Sequence, residues 1–541
     1  MSPTDEAAPP TRPSAPAVDP RRWVVRRWFT PAGAAVAELR ADVGAADVFA
    51  RLARLRHCLF LDSALVDAAA PTAGSPPTAR LGRHSFVAAD PIHSVEVDAR
   101  GGPDDAERVA AAFGAVRSLL RDLACVTIPG LPPFQGGVAG LVSYECGLVR
   151  LGIPCTGSSV VPLLSLHVYD VVCCFDHDCG RGWIVSQGVP ARGPTARRRR
   201  AVARLDALLE QAAGTAPTAA PSASPGHGTA TPASSPAGAA RTEPGRHVLA
   251  DLHVAGLGDV ASTRSRAAYV DMVRDCIALV RAGDIFQANV AQELRVAAAV
   301  DPVALHLRGR TINPAPFAGF LQAGGATVVS MSPERLLQAD RGVVRMHPIK
   351  GTRRVLSSPE ADLYAGGDLE ASEKDRAENV MIVDLVRNDL SRVCSPRSVR
   401  VEALCRLERY RYVQHLVSIV SGRLRQGCTA LDALEAAIPG GSVTGAPKHR
   451  ACEIIAALEG FRRDAYCGSL GYLGLDGAAD FNLLIRTFIV EPAAIRFAVG
   501  GGITARSDPA AEYAETLHKA EGMLRVLASF NAAPAAAEAA R

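Results

Sequence analysis

Apolar residues along this chain recur at two different spacings, and the change from one to the other marks out its elements. Short apolar or alternating runs at residues 58–64, 136–144, 163–175, 286–290 and 327–331 predict strands. Within Phe286-Gln287-Ala288-Asn289-Val290 the alternation puts Gln287 and Asn289 on one face and the apolar residues on the other. Elsewhere the spacing is helical. Val270, Val273, Ile277 and Val280 form a stripe across residues 269–281, and Gly283 stands where a helix would stop. Ser372 is placed to cap a helix running through Leu390, on which Asp375 and Glu378 share a face with Ile382 and Leu385. Asp508-Pro509 opens a last helix, with Glu512, Glu515 and Lys519 along one side and Tyr513, Leu517 and Leu524 along another.

Two stretches carry neither spacing. Residues 1–20 are rich in Pro, Ala and Thr and read as a disordered tail; residues 211–245 are almost wholly Ala, Pro, Gly, Ser and Thr and read as a linker. The linker divides an N-terminal region, 21–210, from a second region, 246–535, in a chain of 541 residues. A formal charge of +4 spread over that length gives no reason to expect nucleic acid or a membrane surface as partner. The arginine run at residues 197–200 reads as a solvated helix end beside the linker. Thirteen cysteines form no regular framework, the first residues lack a signal peptide's apolar core, and no run of eighteen apolar residues occurs. A cytoplasmic protein with reduced thiols is the expectation. Cys173 and Cys174 point to opposite faces of their strand, and no second ligand pair follows at zinc spacing, so a zinc site is not expected there.

Taken singly, the polar residues have plain readings. Lys350, in Pro348-Ile349-Lys350-Gly351, would be a solvated strand lysine, and His415, inside the apolar run 413–420, a hydrogen-bonded core histidine. Residues 439–448 are rich in glycine and hydroxyls, but Ala446-Pro447 interrupts the Gly-Lys-Ser/Thr ending of a phosphate loop; a tight loop lining a cleft fits better. Glu512 and Glu515, three apart, repel each other mildly if exposed, yet suit Mg²⁺ as oxygen ligands.

The combination is more specific than its parts. Gly283-Asp284-Ile285-Phe286-Gln287, Ser332-Pro333-Glu334-Arg335, Pro348-Ile349-Lys350-Gly351-Thr352-Arg353 and Lys374-Asp375-Arg376-Ala377-Glu378-Asn379 follow in order. Val386-Arg387-Asn388-Asp389, His415-Leu416-Val417-Ser418, the 441–448 loop, Ile485-Arg486-Thr487 and the segment 500–515 come after them. Densely over residues 265–530 and loosely over 50–180, this resembles the chorismate-utilising enzymes, above all their aminodeoxychorismate synthase component I branch. Anthranilate synthase component I is the near relative.

The resemblance implies an α+β fold: a large antiparallel β-sandwich with helices packed outside and the active site in a cleft. It implies chorismate as substrate and Mg²⁺ as cofactor, with Glu378 and Glu515 holding the metal and Glu512 and Asp375 beside it. Gln287, Ser442, Tyr472, Arg486, Lys519 and the backbone of Gly500, Gly501 and Gly502 would contact the substrate, and Arg486 with Lys448 or Lys519 would meet its two carboxylates. Glu334 would protonate the departing 4-hydroxyl, and His415 would orient groups near it. Gln287 replaces the lysine base of relatives that add water, and Lys350 replaces an alanine of anthranilate synthases. Together they imply attack of Lys350 on ring C2 and displacement by ammonia at C4. No segment resembles a glutaminase, so ammonia would come from a separate glutaminase subunit, and a separate lyase would make 4-aminobenzoate. Two alternatives stand beside this: anthranilate synthase chemistry with pyruvate release, and a catalytically silent subunit that binds the glutaminase. Two departures are notable. Glu293 stands where relatives carry a basic residue. Leu61-Asp62-Ser63 resembles their tryptophan-binding segment with Asp for Glu, which makes bound tryptophan an expectation to check.

Overall fold

The computed structural model describes residues 19–64, 82–155, 157, 159–214, 247–254, 257–355, 366–409 and 413–530. Two antiparallel sheets, one of fourteen strands and one of ten, stack on each other with helices on both outer faces. The expected α+β sandwich is the fold. Leu59, Phe86, Leu141, Val328, Leu470 and Ile489 fill the layer between the sheets. Separate apolar clusters bind the outer face of each sheet to its helices.

The predicted helices begin and end on their caps. Ser265 accepts a hydrogen bond from the Ala268 amide at the start of Arg266–Ala282, and Gly283 closes it at φ +87°, a conformation that costs glycine least. Ser372 caps Glu373–Ser391 through the Asp375 amide, and Asp508 caps Pro509–Ala528 through the Ala511 amide. The 286–290 segment extends into the strand Gln287–Val296.

Several expectations need correction. The apolar run 163–175 is two strands, Leu164–Tyr169 in the ten-stranded sheet and Val171–Asp176 in the fourteen-stranded one. The chain changes sheet at Asp170, whose buried carboxylate is held by Arg204 at 2.9 Å. The arginine run is not a solvated end: it lies in the helix Pro194–Gly214, where Arg197 and Arg200 bond the carbonyls of Gln187 and Val189 and Arg198 covers the Phe29 ring. That helix also takes in residues 211–214 of the expected linker, and Pro20 of the expected tail begins a short 3₁₀ turn, Pro20–Arg22. The rest of both stretches, up to residue 18 and from 215 to 246, lies outside the described residues.

Nor does residue 211–245 separate two folding units. Leu59–Asp62 pairs with Phe317–Ala323 in the larger sheet, and Gly137–Val142 pairs with Ser469–Gly474 in the smaller. Both sheets are thus built from both halves of the chain. Cys173 and Cys174 pack into different apolar layers, as expected for neighbours on a strand.

Candidate active site

At one end of the ten-stranded sheet, the strand Ile349–Arg354 runs against Val413–Arg423. Lys350 lies opposite Leu416 and Thr352 opposite His415, so Gly351 is one residue too many for the ladder. Gly351 adopts φ +75°. A Cβ there would meet Leu369 Cδ1 at 2.7 Å and Asp375 Cγ at 3.0 Å, so this bulge needs glycine twice over. Asp375 is thereby placed beside the lysine's own turn.

Lys350 Nζ donates to the Ser442 carbonyl at 3.1 Å, and the Ser442 hydroxyl donates to Glu334 Oε1 at 2.7 Å. One residue of the 441–448 loop therefore joins the amine to the acid. Burial pushes the Glu334 carboxyl up to about 7, although the Ser442 hydrogen bond and the Lys350 charge pull the other way. Burial also lowers the Lys350 ammonium from its ordinary value; Glu378 and Glu334 oppose that shift and Lys519 reinforces it. His415 is buried and hydrogen-bonded to the Gly351 backbone. Burial, then the nearby Arg486 charge, hold its imidazole down at about 4, so it is neutral near pH 7. Arg486 is itself partly buried, and its guanidinium has no carboxylate or carbonyl partner among the described residues. A cation in that position is an open receptor for an anion.

Two helices bring carboxylates to the same cleft. Glu378 comes from Glu373–Ser391, and Glu512 and Glu515 come from Pro509–Ala528. The glycines of Ala494–Ile503 let them close in: a Cβ on Gly501 would lie 3.1 Å from Glu512 Oε2 and 3.9 Å from Glu515 Oε1. Lys519 bonds Glu515 at 2.7 Å and the Gly500 carbonyl at 2.9 Å. Against the effect of burial, Lys519 holds the Glu515 carboxyl below its ordinary value. Glu378 differs, for burial pushes it up despite Lys350 and Lys374, and its Oε1 is buried without a hydrogen-bond partner. Three glutamates with an unsatisfied oxygen among them form a donor set suited to a hard cation.

Gln287 is buried, with Nε2 2.2 Å from where a Cβ of Gly502 would stand and Oε1 unpartnered. Beside it a cavity of about 540 Å³ is lined by Phe286, Gln287, Lys374, Glu378, Met381 and Arg506 among others. Lys374, which the sequence places in the Lys374–Asn379 motif without showing its task, sets its ammonium 3.5 Å from Glu512 Oε1. Sequence reasoning also missed Arg463, whose buried guanidinium bonds the Val443 carbonyl at 2.9 Å and pairs with Glu459, fixing the loop that carries Ser442.

The structure therefore brings together Lys350, Glu334, Ser442, His415, Arg486, Gln287, the three glycines, Lys519, Glu378, Glu512, Glu515 and Asp375. Tyr472 does not join them. It alternates to the inner face of Ser469–Gly474, where its ring stacks on Phe134 at 4.5 Å inside the layer between the sheets. Lys448 is likewise occupied, 2.7 Å from the buried Asp389 carboxylate. Glu293, the odd acid, meets Arg496 at 2.9 Å, a guanidinium that also pairs with Asp464 and Glu491. In the expected tryptophan segment, Asp62 takes Arg310 at 2.9 Å and the Ser63 hydroxyl donates to the His84 carbonyl at 2.7 Å. These groups are satisfied by the chain itself, and nothing in their geometry supports bound tryptophan.

A family model described as chorismate binding enzyme matches residues 78–525. The chain belongs to the chorismate-binding enzymes. Two activities appear in the names of its relatives over most of the chain. Anthranilate synthase component 1 of Streptomyces coelicolor is 37% identical over 462 residues, covering 85% of this chain and 83% of that one. Aminodeoxychorismate synthase component 1 of Salmonella typhimurium is 35% identical over 410 residues, covering 73% and 77%. Aminodeoxychorismate synthase of Streptomyces pristinaespiralis is 37% identical over 428 residues, which is 78% of this chain but 55% of that protein. Among solved structures, anthranilate synthase component I of Streptococcus pneumoniae superposes with a TM-score of 0.64 at 26% identity, over 85% of this chain and 95% of that one. None of the helices among the described residues is long and apolar enough to cross a membrane.

Proposed function

We propose that this chorismate-binding enzyme converts chorismate and ammonia to 4-amino-4-deoxychorismate. The observation that carries this reading is a partly buried primary amine, Lys350, joined through Ser442 to a carboxylic acid, Glu334, that holds its proton to about pH 7. Burial favours the uncharged amine, the form that attacks carbon. In the proposed sequence Lys350 Nζ forms a bond to ring C2 while the C4–O bond breaks and Glu334 passes its proton to the departing hydroxyl, releasing water. Ammonia then bonds at C4, the C2–N bond breaks, and the lysine is restored with the enolpyruvyl group still on the product.

His415, neutral and bonded to the Gly351 backbone, holds the bulge that aims Lys350. Arg486 takes one substrate carboxylate, and the Gly500–502 backbone lines the same cleft. Gln287 cannot deprotonate water, which disfavours hydroxylation of the ring. The buried unpartnered oxygen of Glu378 supports a cation at the carboxylate cluster; Glu378, Glu512 and Glu515 would hold Mg²⁺, with Asp375 adjacent. When bound, Mg²⁺ supplies positive charge opposite a substrate carboxylate. Ammonia would come from a separate glutaminase subunit.

Anthranilate synthase names among the relatives support the second reading, 2-amination with pyruvate release. The Lys350→Ala protein separates the two when assayed with chorismate, Mg²⁺ and ammonium. Under our reading it loses 4-amino-4-deoxychorismate formation; unchanged turnover overturns the covalent role of the lysine.

A further inference from the structure

Far from the cleft, on the inner side of the ten-stranded sheet's edge, lies a cluster the chorismate chemistry does not use. Along Leu164–Tyr169, residues Leu164, Leu166 and Val168 enter the outer core, whereas Ser165 and His167 take the opposite face. The register of the edge strand His93–Val97 sets Ser94 opposite His167 and Glu96 opposite Ser165. His57 approaches from the other sheet, in the turn just before Leu59–Asp62. Its ring stacks on His167 with centroids 4.0 Å apart and planes 28° apart, and its carbonyl is fixed by the Tyr169 hydroxyl at 2.6 Å. One ligand atom from each of His57, Glu96 and His167 can be chosen so that all three lie within 4.8 Å of one another.

The plain alternative is a hydrogen-bonded core histidine. It accounts for His167, whose Nδ1 meets Ser94 Oγ and whose Nε2 meets Ser165 Oγ, each at 2.9 Å. It does not account for His57, a second imidazole laid over the first with no hydrogen-bond partner on its ring among the described residues. Nor does it account for the carboxylate brought to the same point. Ser165 Oγ donates to Glu96 Oε1 at 2.8 Å and meets His167 Nε2 at 2.9 Å, so a single hydroxyl draws the carboxylate and the imidazole to one point.

We propose that His57, His167 and Glu96 form a binding site for a divalent transition metal, zinc foremost, that ties the two sheets together. Two imidazoles and one carboxylate match the borderline ions and not Mg²⁺, which prefers oxygen. Tetrahedral zinc, with bonds of about 2 Å, draws its ligand atoms to roughly 3.3 Å apart. Glu96 is exposed and reaches that separation by changing rotamer, and its side leaves a fourth position open to water. In the metal-free chain Ser165 gives its hydrogen to Glu96 and so accepts from His167 Nε2–H; a bound metal would take Nε2 and leave the ring proton on Nδ1, where Ser94 accepts it. Arg56, bonded to the Pro91 carbonyl at 3.0 Å, is a nearby positive charge that a bound cation would have to tolerate.

The test is titration of the metal-free full-length protein with Zn²⁺ against a chromophoric chelator, in millimolar Mg²⁺ to occupy the carboxylate cluster. His57→Gln and Glu96→Gln alter partly or fully exposed side chains and leave the buried His167 in place, so folding is retained and checked by circular dichroism. One zinc per wild-type chain, weakened about tenfold or more in each variant but unchanged by Cys179→Ser, is the expected result. No zinc uptake by the wild type, or equal uptake by the wild type and both variants, overturns the site.

Discussion

Lys350 sits between opposing influences. Burial favours the free amine, while Glu378, Glu334 and Glu515 favour the ammonium. Its replacement by alanine removes the one side chain that bonds to the ring in the proposed sequence, and Lys350→Arg fails as well, because a guanidinium stays protonated. Both should cut 4-amino-4-deoxychorismate formation by about 100-fold or more, read by chromatography of the product. Glu334 gives a pH prediction. Its carboxyl is raised from 4.5 to about 7, so the proton needed for departure of the hydroxyl is present below pH 7 and lost above it. The rate kcat/KM should therefore fall on the alkaline side with a midpoint near that value; a flat profile from pH 6 to 9 would remove Glu334 as the acid. The same shift bears on stability with a defined sign. Between 4.5 and about 7 the folded chain keeps a proton that the unfolded chain releases, so this residue's contribution declines as pH rises through that window.

Elements decide where these groups point, and two substitutions test that. Gly351→Ala sets a Cβ 3.0 Å from Asp375 Cγ at φ +75°, so it should cost about 1–3 kcal/mol in urea unfolding and depress turnover beyond the loss of folded protein. Lys448→Met leaves Asp389 buried and unpaired. Breaking such a pair costs about 3–5 kcal/mol, whereas turnover per folded molecule should hold, since this lysine does not face the substrate. Helix starts at Ser372 and Asp508 were legible because capping is a local property of a few residues, whereas the start at Ser265 lies ahead of the apolar stripe that marked its helix. Lys350, Glu334 and Ser442 were legible because each belongs to a motif in the family's order. Tyr472 was misplaced for a physical reason: both faces of Ser469–Gly474 are buried, so alternation says which residues share a face but not which face meets the cleft. The break at Asp170 and the tasks of Arg200 and Lys374 were hidden because their partners are distant in sequence or on another element.

Across the whole molecule, the two halves are interlocked. Leu59–Asp62 and Gly137–Val142, both from the first half, close the gap to second-half strands in the two sheets. Fragments ending at 214 and starting at 247 should consequently fail as separate soluble proteins but co-purify when co-expressed; two independently folded fragments would contradict the shared sheets. The sandwich gives the cleft its acid and amine from one sheet, Glu334 beside Arg335–Asp340 and Lys350 on Ile349–Arg354, while the carboxylate helices pack alongside. The most direct test is mass-spectrometric product analysis with chorismate, Mg²⁺ and ammonium. The account predicts 4-amino-4-deoxychorismate with its enolpyruvyl group intact and no free pyruvate; anthranilate with stoichiometric pyruvate, or chorismate left unconsumed, would contradict it.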